Sequence, residues 1–395
     1  MVRRFPECIV FLILLFFSVT YSTLSKSDRK EKSKKFDETN QRQKERSDIT
    51  KQAQHFENKA TVANILDDHH KLCAEEKKFN HPILAYVTPW NNGGYDIAKW
   101  AARKFTHISP VWFQFKPEVK KQKTCTILGT HDMDIQWLTD VLANNSEIKF
   151  VPRLIMDGSA PENIERFLFD ERWQTECAQL VINFIKKNKM HGAVIELWLQ
   201  VLSLVQVGVK EELIELIAHW AELFHQADLE IIVPLPAPLN YKNKPTGFIL
   251  KTELARIINN VNYVNVMTYD YSSDYFIGVS PVEWIQYNLE YILSESSINS
   301  SKLLMGINFY GYASQQATMK AVIGKDFIKY ITAEPGALLW NSITKEHVVK
   351  IKDNDFCVYP TLASLQIRLD LADHFNIGIG IWELGQGLNY FTCLF

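Results

Sequence analysis

Neither sign of charge dominates this 395-residue chain: 43 Lys and Arg stand against 45 Asp and Glu, a formal net charge of −2. With no Lys/Arg block in its aromatic-rich part, the chain lacks the electrostatic footprint that nucleic-acid binding requires. A G-x-S-x-G elbow, a phosphate loop and a dinucleotide fingerprint are also absent, so those chemistries have no carrier and no cofactor is expected. Gly378, Gly380, Gly385 and Gly387 read as strand packing and turn formers rather than a phosphate cradle. His69-His70 and His131-Asp132-x-Asp134 lack the spacing of a metal site, and none is expected. Cysteines are few: Cys8, Cys73, Cys125, Cys177, Cys357 and Cys393. Loss of the first with a leader leaves five, an odd number in which at least one is free or pairs with another chain; the pairing stays open. The most apolar run, 8–19, is too short to span ~30 Å of hydrocarbon, and no other stretch comes closer to a membrane span.

That run follows Arg3 and Arg4 and precedes the small residues Thr20 and Ser22, so residues 1–22 read as a secretory signal peptide. An uncleaved anchor is the alternative, since Glu7 is out of place at a basic end. The mature chain is then expected to be secreted or in the lysosomal lumen, where disulfides are permitted. Residues 23–79 hold 14 Lys/Arg and 11 Asp/Glu with neither Trp nor Tyr. Such a stretch buries too little to offset its ordering entropy and reads as a charged, poorly ordered connector. The remainder, 80–395, carries −6 and suits a neutral or cationic partner better than a polyanion.

Within 80–395, short apolar runs at 83–87, 106–113, 149–155, 192–197, 230–235, 263–269, 303–310 and 377–384 alternate with stretches of helical spacing, as at 171–187, 210–226, 281–293 and 362–375. Eight strands with intervening helices predict a (β/α)8 TIM barrel. The interval 313–359 is too long for a βα loop and predicts a small insertion after strand 7 that walls one side of the C-terminal face. Chemistry in such a barrel sits at the C-terminal strand ends. These are aromatic and carboxylic: Trp90, Trp112, Asp157, Glu196-Leu197-Trp198, Met267-Thr268-Tyr269-Asp270-Tyr271, Tyr310 and Trp382-Glu383. Aromatic faces with a few directed polar groups suit a sugar. Asn144 and Asn299 head Asn-x-Ser sequons in expected loops, so both are candidate glycosylation sites.

The stretches Ala85-Tyr-Val-Thr-Pro-Trp90, Thr106-His-Ile108, Met267-Thr-Tyr-Asp-Tyr271 and Gly306-Ile-Asn-Phe-Tyr-Gly311 resemble strands one, two, six and seven of glycoside hydrolase family 18, the chitinase family. The segments 152–154, 191–198 and 381–391 resemble a branch of that family whose members are ligands of stabilin-type receptors. The resemblance implies a barrel that binds oligosaccharides containing N-acetylglucosamine. It would place Trp382 beneath the central sugar, Tyr269 and Asp270 beside its acetamido group, Tyr86 deeper in the pocket, and Trp90 and Tyr310 on the flanks, with Met267 opening the M-x-Y-D piece.

Strand four departs from the family. Active members carry D-x-x-D-x-D-x-E there, and the four letters fall here on His191, Val194, Glu196 and Trp198. The acid that protonates the leaving oxygen is thereby replaced by Trp198, which is expected to add a stacking surface. No catalytic residue is expected, the residual candidate being Glu196. That carboxyl has the correct parity but lies two residues down the strand, about 6 to 7 Å below the rim, whereas proton transfer needs roughly 3 Å. Glu196 has a second reading, a buried carboxylate bonded to Tyr269 or held neutral by desolvation. Strand three departs too, with Arg153-Leu-Ile-Met-Asp157 where the family has S-x-G-G. Glu383, beside an inward Trp, is expected to face away from the axis. The expected function is carbohydrate binding without cleavage; the alternatives are a weak glycosidase using Glu196 and a protein ligand of a scavenger or sorting receptor.

Overall fold

The computed structural model describes residues 60–395 except 120–121, 206, 274, 316–317, 334–337 and 352–354. The expected signal peptide and residues 23–59 of the charged segment lie outside the described residues. Among the described residues no helix is long and apolar enough to cross a membrane.

The strands are β1 (Ile83–Val87), β2 (His107–Pro110), β3 (Phe113–Val119), β4 (Lys123–Leu128), β5 (Lys149–Phe150), β6 (Arg153–Met156), β7 (Gly192–Glu196), β8 (Glu230–Pro236), β9 (Tyr263–Met267), β10 (Leu303–Asn308), β11 (Gly311–Gln315), β12 (Thr318–Val322), β13 (Leu338–Asn341), β14 (Glu346–Lys350), β15 (Phe356–Tyr359) and β16 (Gly378–Trp382). The main sheet runs β4-β3-β6-β7-β8-β9-β10-β16-β1-β2-β5. It curls round on itself, because β5 and β6 are consecutive pieces of one strand: β5 pairs with β2, and β6 with β3 and β7. This is the expected TIM barrel. Every residue of β1 and β10 is buried, as strands covered by helices outside and by a filled interior must be. The helix Lys210–Gln226 buries Leu213, Ile214, Leu216, Ile217, Trp220, Ala221 and Phe224, the stripe that its three- and four-residue spacing prescribes.

Two strands differ from expectation. The run 106–113 is not one strand: β2 ends at Pro110, and β3 then leaves to form an antiparallel hairpin with β4. Pro110 has no N–H to offer a ladder, and the break after it re-aims the chain. Strand three breaks likewise at Val151-Pro152. The insertion after β10 is an antiparallel sheet ordered β12-β11-β15-β14-β13, with the helix Gly324–Ala333 between its strands. Its buried Glu346 accepts from the backbone N–H groups of Val279 (3.2 Å) and Ser280 (3.1 Å), with Arg368 3.8 Å away, which fastens the insertion to the barrel.

Residues 60–79 are ordered, a correction to the segment drawn at 23–79. Thr61 caps the helix Val62–Asp68, Ile65 and Phe79 are buried, and Cys73 is bonded to Cys393 near the C-terminus. Three anchors outweigh the polar composition of the stretch. Cys125 pairs with Cys177, joining β4 to the helix Glu171–Lys187, and Cys357 is buried and has no disulfide partner among the described residues. At the N-terminal strand ends Glu230 accepts from His107 (2.8 Å) and from Lys149. Burial alone would push Glu230 up, but these two partners hold it down at about 2.

Candidate functional site

Alternation along β1 turns Leu84 and Tyr86 inward, and alternation along β7 does the same for Val194 and Glu196. Tyr86 packs with Leu84, Val151, Val194, Ile232 and Leu304 in the barrel's inner cluster, and Trp382 closes that cluster from the end of β16. The Tyr86 and Trp382 rings lie 5.1 Å apart. Trp382 also packs on a second cluster, Val279, Tyr310 and Val358, with Tyr269, Phe276, Tyr312 and Phe356 around it. One indole thus joins the barrel interior to the wall built by the insertion. Tyr269 stands over Gly306, where a Cβ would lie 2.8 Å from its ring, so the glycine fixes how deep that tyrosine sits. Met267, at the end of β9, is half-buried beside it.

Asp270 follows in a left-handed turn (φ 58°) and is exposed. Its carboxylate accepts from the hydroxyls of Tyr310 and Tyr312, the latter at 2.9 Å. Burial, and then the Asp270 charge, push the Tyr312 hydroxyl up to about 12 and raise that of Tyr310 as well. Both hydroxyls therefore remain protonated donors. The wall continues outward: Phe276 lies 6.1 Å from Tyr312 and stacks on Phe356 at 5.4 Å, bordering a cavity of about 460 Å³ lined also by Val348, Lys350 and Ile351.

Glu196 meets partners other than Tyr269, the one expected for it. Arg153 Nε donates to its Oε2, and Gln200 Nε2 donates to its Oε1 at 3.0 Å. Arg153 pairs in register with Val194 and Ile155 with Glu196, so the guanidinium reaches across one rung. Its carbon lies 5.7 Å from the centre of the Trp382 ring. The sequence marked Arg153 only as a departure; its inward parity, two residues beyond Val151, was the available signal. Gln200 and Phe276 carried none.

Trp198 is the main correction among the expected ligand residues. Strand β7 ends at Glu196 and a helix begins at Trp198, so strand parity no longer governs its direction. The indole is fully buried in the core, and its N–H donates to the Phe248 carbonyl at 3.1 Å. It offers no stacking face. Trp112 is also buried, donating to the Tyr95 hydroxyl at 2.7 Å, and leaves the rim. Trp90 is 65% exposed on the loop after β1. Its neighbour Asn91 donates to Glu383 at 2.8 Å, and the Gly385 N–H donates to the same carboxyl at 2.9 Å. Glu383 is fully buried, and that burial pushes its carboxyl up to about 7. The sequon residues Asn144 and Asn299 are both exposed.

A closed parallel barrel with an insertion after its seventh strand and an aromatic mouth is a shared architecture, and the sequence narrows it. The sequence model of a family described as "Glycosyl hydrolases family 18" matches residues 83–387. The chain belongs to family 18. Solved structures of similar fold include a chitinase from Chromobacterium violaceum, with TM-score 0.65 and 17% identity over 80% of this chain and 97% of that one. The spore cortex-lytic enzyme SleL of Bacillus megaterium gives a TM-score of 0.63 at 19% identity, covering 82% and 74% of the two chains. A family 18 chitinase from Cycas revoluta in complex with (GlcNAc)3 gives 0.64 at 14% identity, covering 79% and 97%. In this family 18 chain, Tyr269, Asp270 and Tyr310 form one corner of the barrel mouth, and β7 ends in the Arg153–Glu196 ion pair with the core residue Trp198 just beyond it.

Proposed function

We propose that this family 18 chain binds amino-sugar oligosaccharides containing N-acetylglucosamine without hydrolysing them. The observation that carries the reading is strand four. The position of the family's terminal acid is held by the buried Trp198, and both oxygens of Glu196 are acceptors, from Arg153 and Gln200. A general acid must present a proton to the leaving oxygen, and a carboxylate accepting at both oxygens presents none. What remains suits a bound sugar: Trp382 as the base, Tyr86 and Met267 below and beside it, Tyr269, Asp270 and Tyr310 around an acetamido group, and Trp90 at the rim. The resemblance of 152–154, 191–198 and 381–391 to stabilin-binding relatives supports placing the chain among the secreted or lysosomal members, glycosylated at Asn144 and Asn299. Trp382→Ala is expected to weaken chitotetraose binding in isothermal titration by ~1 to 3 kcal/mol, the scale of an aromatic platform under a planar ring. Unchanged affinity would remove Trp382 from the site.

A further inference from the structure

Arg153 is an unusual floor for a neutral-sugar groove. Its Nε is taken by Glu196, and its two terminal nitrogens, four N–H donors in one planar fork, have no protein partner among the described residues. The side chain keeps 14% of its surface open and its Glu196 partner 19%, in a mouth otherwise walled by buried and half-buried aromatics. The guanidinium lies over Trp382, the ring expected to carry the central sugar. A ligand stacked there cannot avoid the fork. A neutral acetamido oxygen satisfies one donor, whereas a carboxylate matches two parallel N–H groups and its charge at once. A second carboxylate at the mouth, Asp270, is engaged by the hydroxyls of Tyr310 and Tyr312, which moderates its repulsion of an incoming anion. Glu196 holds Arg153 by its inner edge, fixing the guanidinium in place and leaving the outer edge for a ligand.

We propose that Arg153 is the specificity-determining residue of the groove and selects amino sugars that bear a carboxylate, received by its terminal nitrogens above Trp382. This deepens the carbohydrate-binding reading and rests on it. The test compares two disaccharides that differ by one acidic substituent, chitobiose and N-acetylglucosaminyl-N-acetylmuramic acid, titrated calorimetrically into the full chain. The expected result is at least tenfold tighter binding of the acidic disaccharide. In Arg153→Met/Glu196→Gln, which removes the cation without leaving a lone half-buried carboxylate, the ratio of the two affinities is expected to fall to about one. Arg153→Lys keeps the charge and a partner for Glu196 but loses the fork, and an intermediate ratio is expected. Equal affinities in the unmodified chain, or a ratio that survives in the double variant, would overturn the assignment of Arg153 and leave amino-sugar binding standing. Failure of both sugars to bind would overturn both.

Discussion

Trp198→Glu, which on the proposed reading restores the family's acidic letter after strand four, is expected to lower stability by more than ~3 to 5 kcal/mol and to yield no hydrolase. The indole is fully buried, and its N–H is satisfied by the Phe248 carbonyl. Large-to-small truncation of a buried Trp alone costs about that much, and a carboxyl left in the vacated space adds the penalty of an unpartnered buried polar group. Urea unfolding followed by tryptophan fluorescence measures the first effect, and product analysis on chitotetraose the second. A stable variant that cleaves would mean that Trp198 faces the groove after all.

The second large effect is electrostatic and differs in sign between two buried groups. Glu383, whose ordinary value is 4.5, is raised to about 7 by burial. The folded state therefore holds more protons than the unfolded state between those values, and stability falls as pH rises from 4.5 through 7. His347, with an ordinary value of 6.5, is lowered to about 4, also by burial. The unfolded state holds more protons over that interval, so its contribution is complete above 6.5 and is lost as pH falls through 4. Each interval corresponds to about 3 kcal/mol, and the two oppose each other between 4.5 and 6.5. Buried Glu346 acts in the direction of Glu383 and half-buried His191 in that of His347, since burial raises the first and lowers the second. Relative to the unmodified chain, Glu383→Gln is expected to gain about 3 kcal/mol on going from pH 4.5 to 7.5, and His347→Gln to gain about as much on going from pH 7 to 4. Denaturant unfolding at those pH values checks both. Parallel profiles for variant and parent would show that the group does not titrate in the interval. The Glu383 arm also bears on the site, because this carboxyl holds Asn91 and with it the loop that carries Trp90.

The barrel was legible because parallel strands buried on both faces read as apolar runs, and β1 and β10 are buried throughout. The insertion was legible from length alone. Parity also served within strands: it turned Tyr86, Glu196 and Trp382 inward and Glu383 away. It failed one step beyond a strand, at Trp198, where the backbone had already become helix, and at Trp112, which follows the break at Pro110. Composition misjudged residues 60–79, since a disulfide and two buried side chains order a segment that averages as solvated. The Arg153–Glu196–Gln200 arrangement was hidden for another reason. It joins two strands and a helix start through side-chain reach, and no period in a single sequence reports such a contact.

The central claim is that strand four has lost its acid while the groove keeps its sugar platform. Titrating the full chain with chitotetraose and sampling the same mixture by mass spectrometry tests both halves together. The account predicts saturable binding with the tetrasaccharide recovered intact. Shortened products that disappear in Glu196→Gln would contradict it, because they would show Glu196 delivering a proton despite its bonds to Arg153 and Gln200.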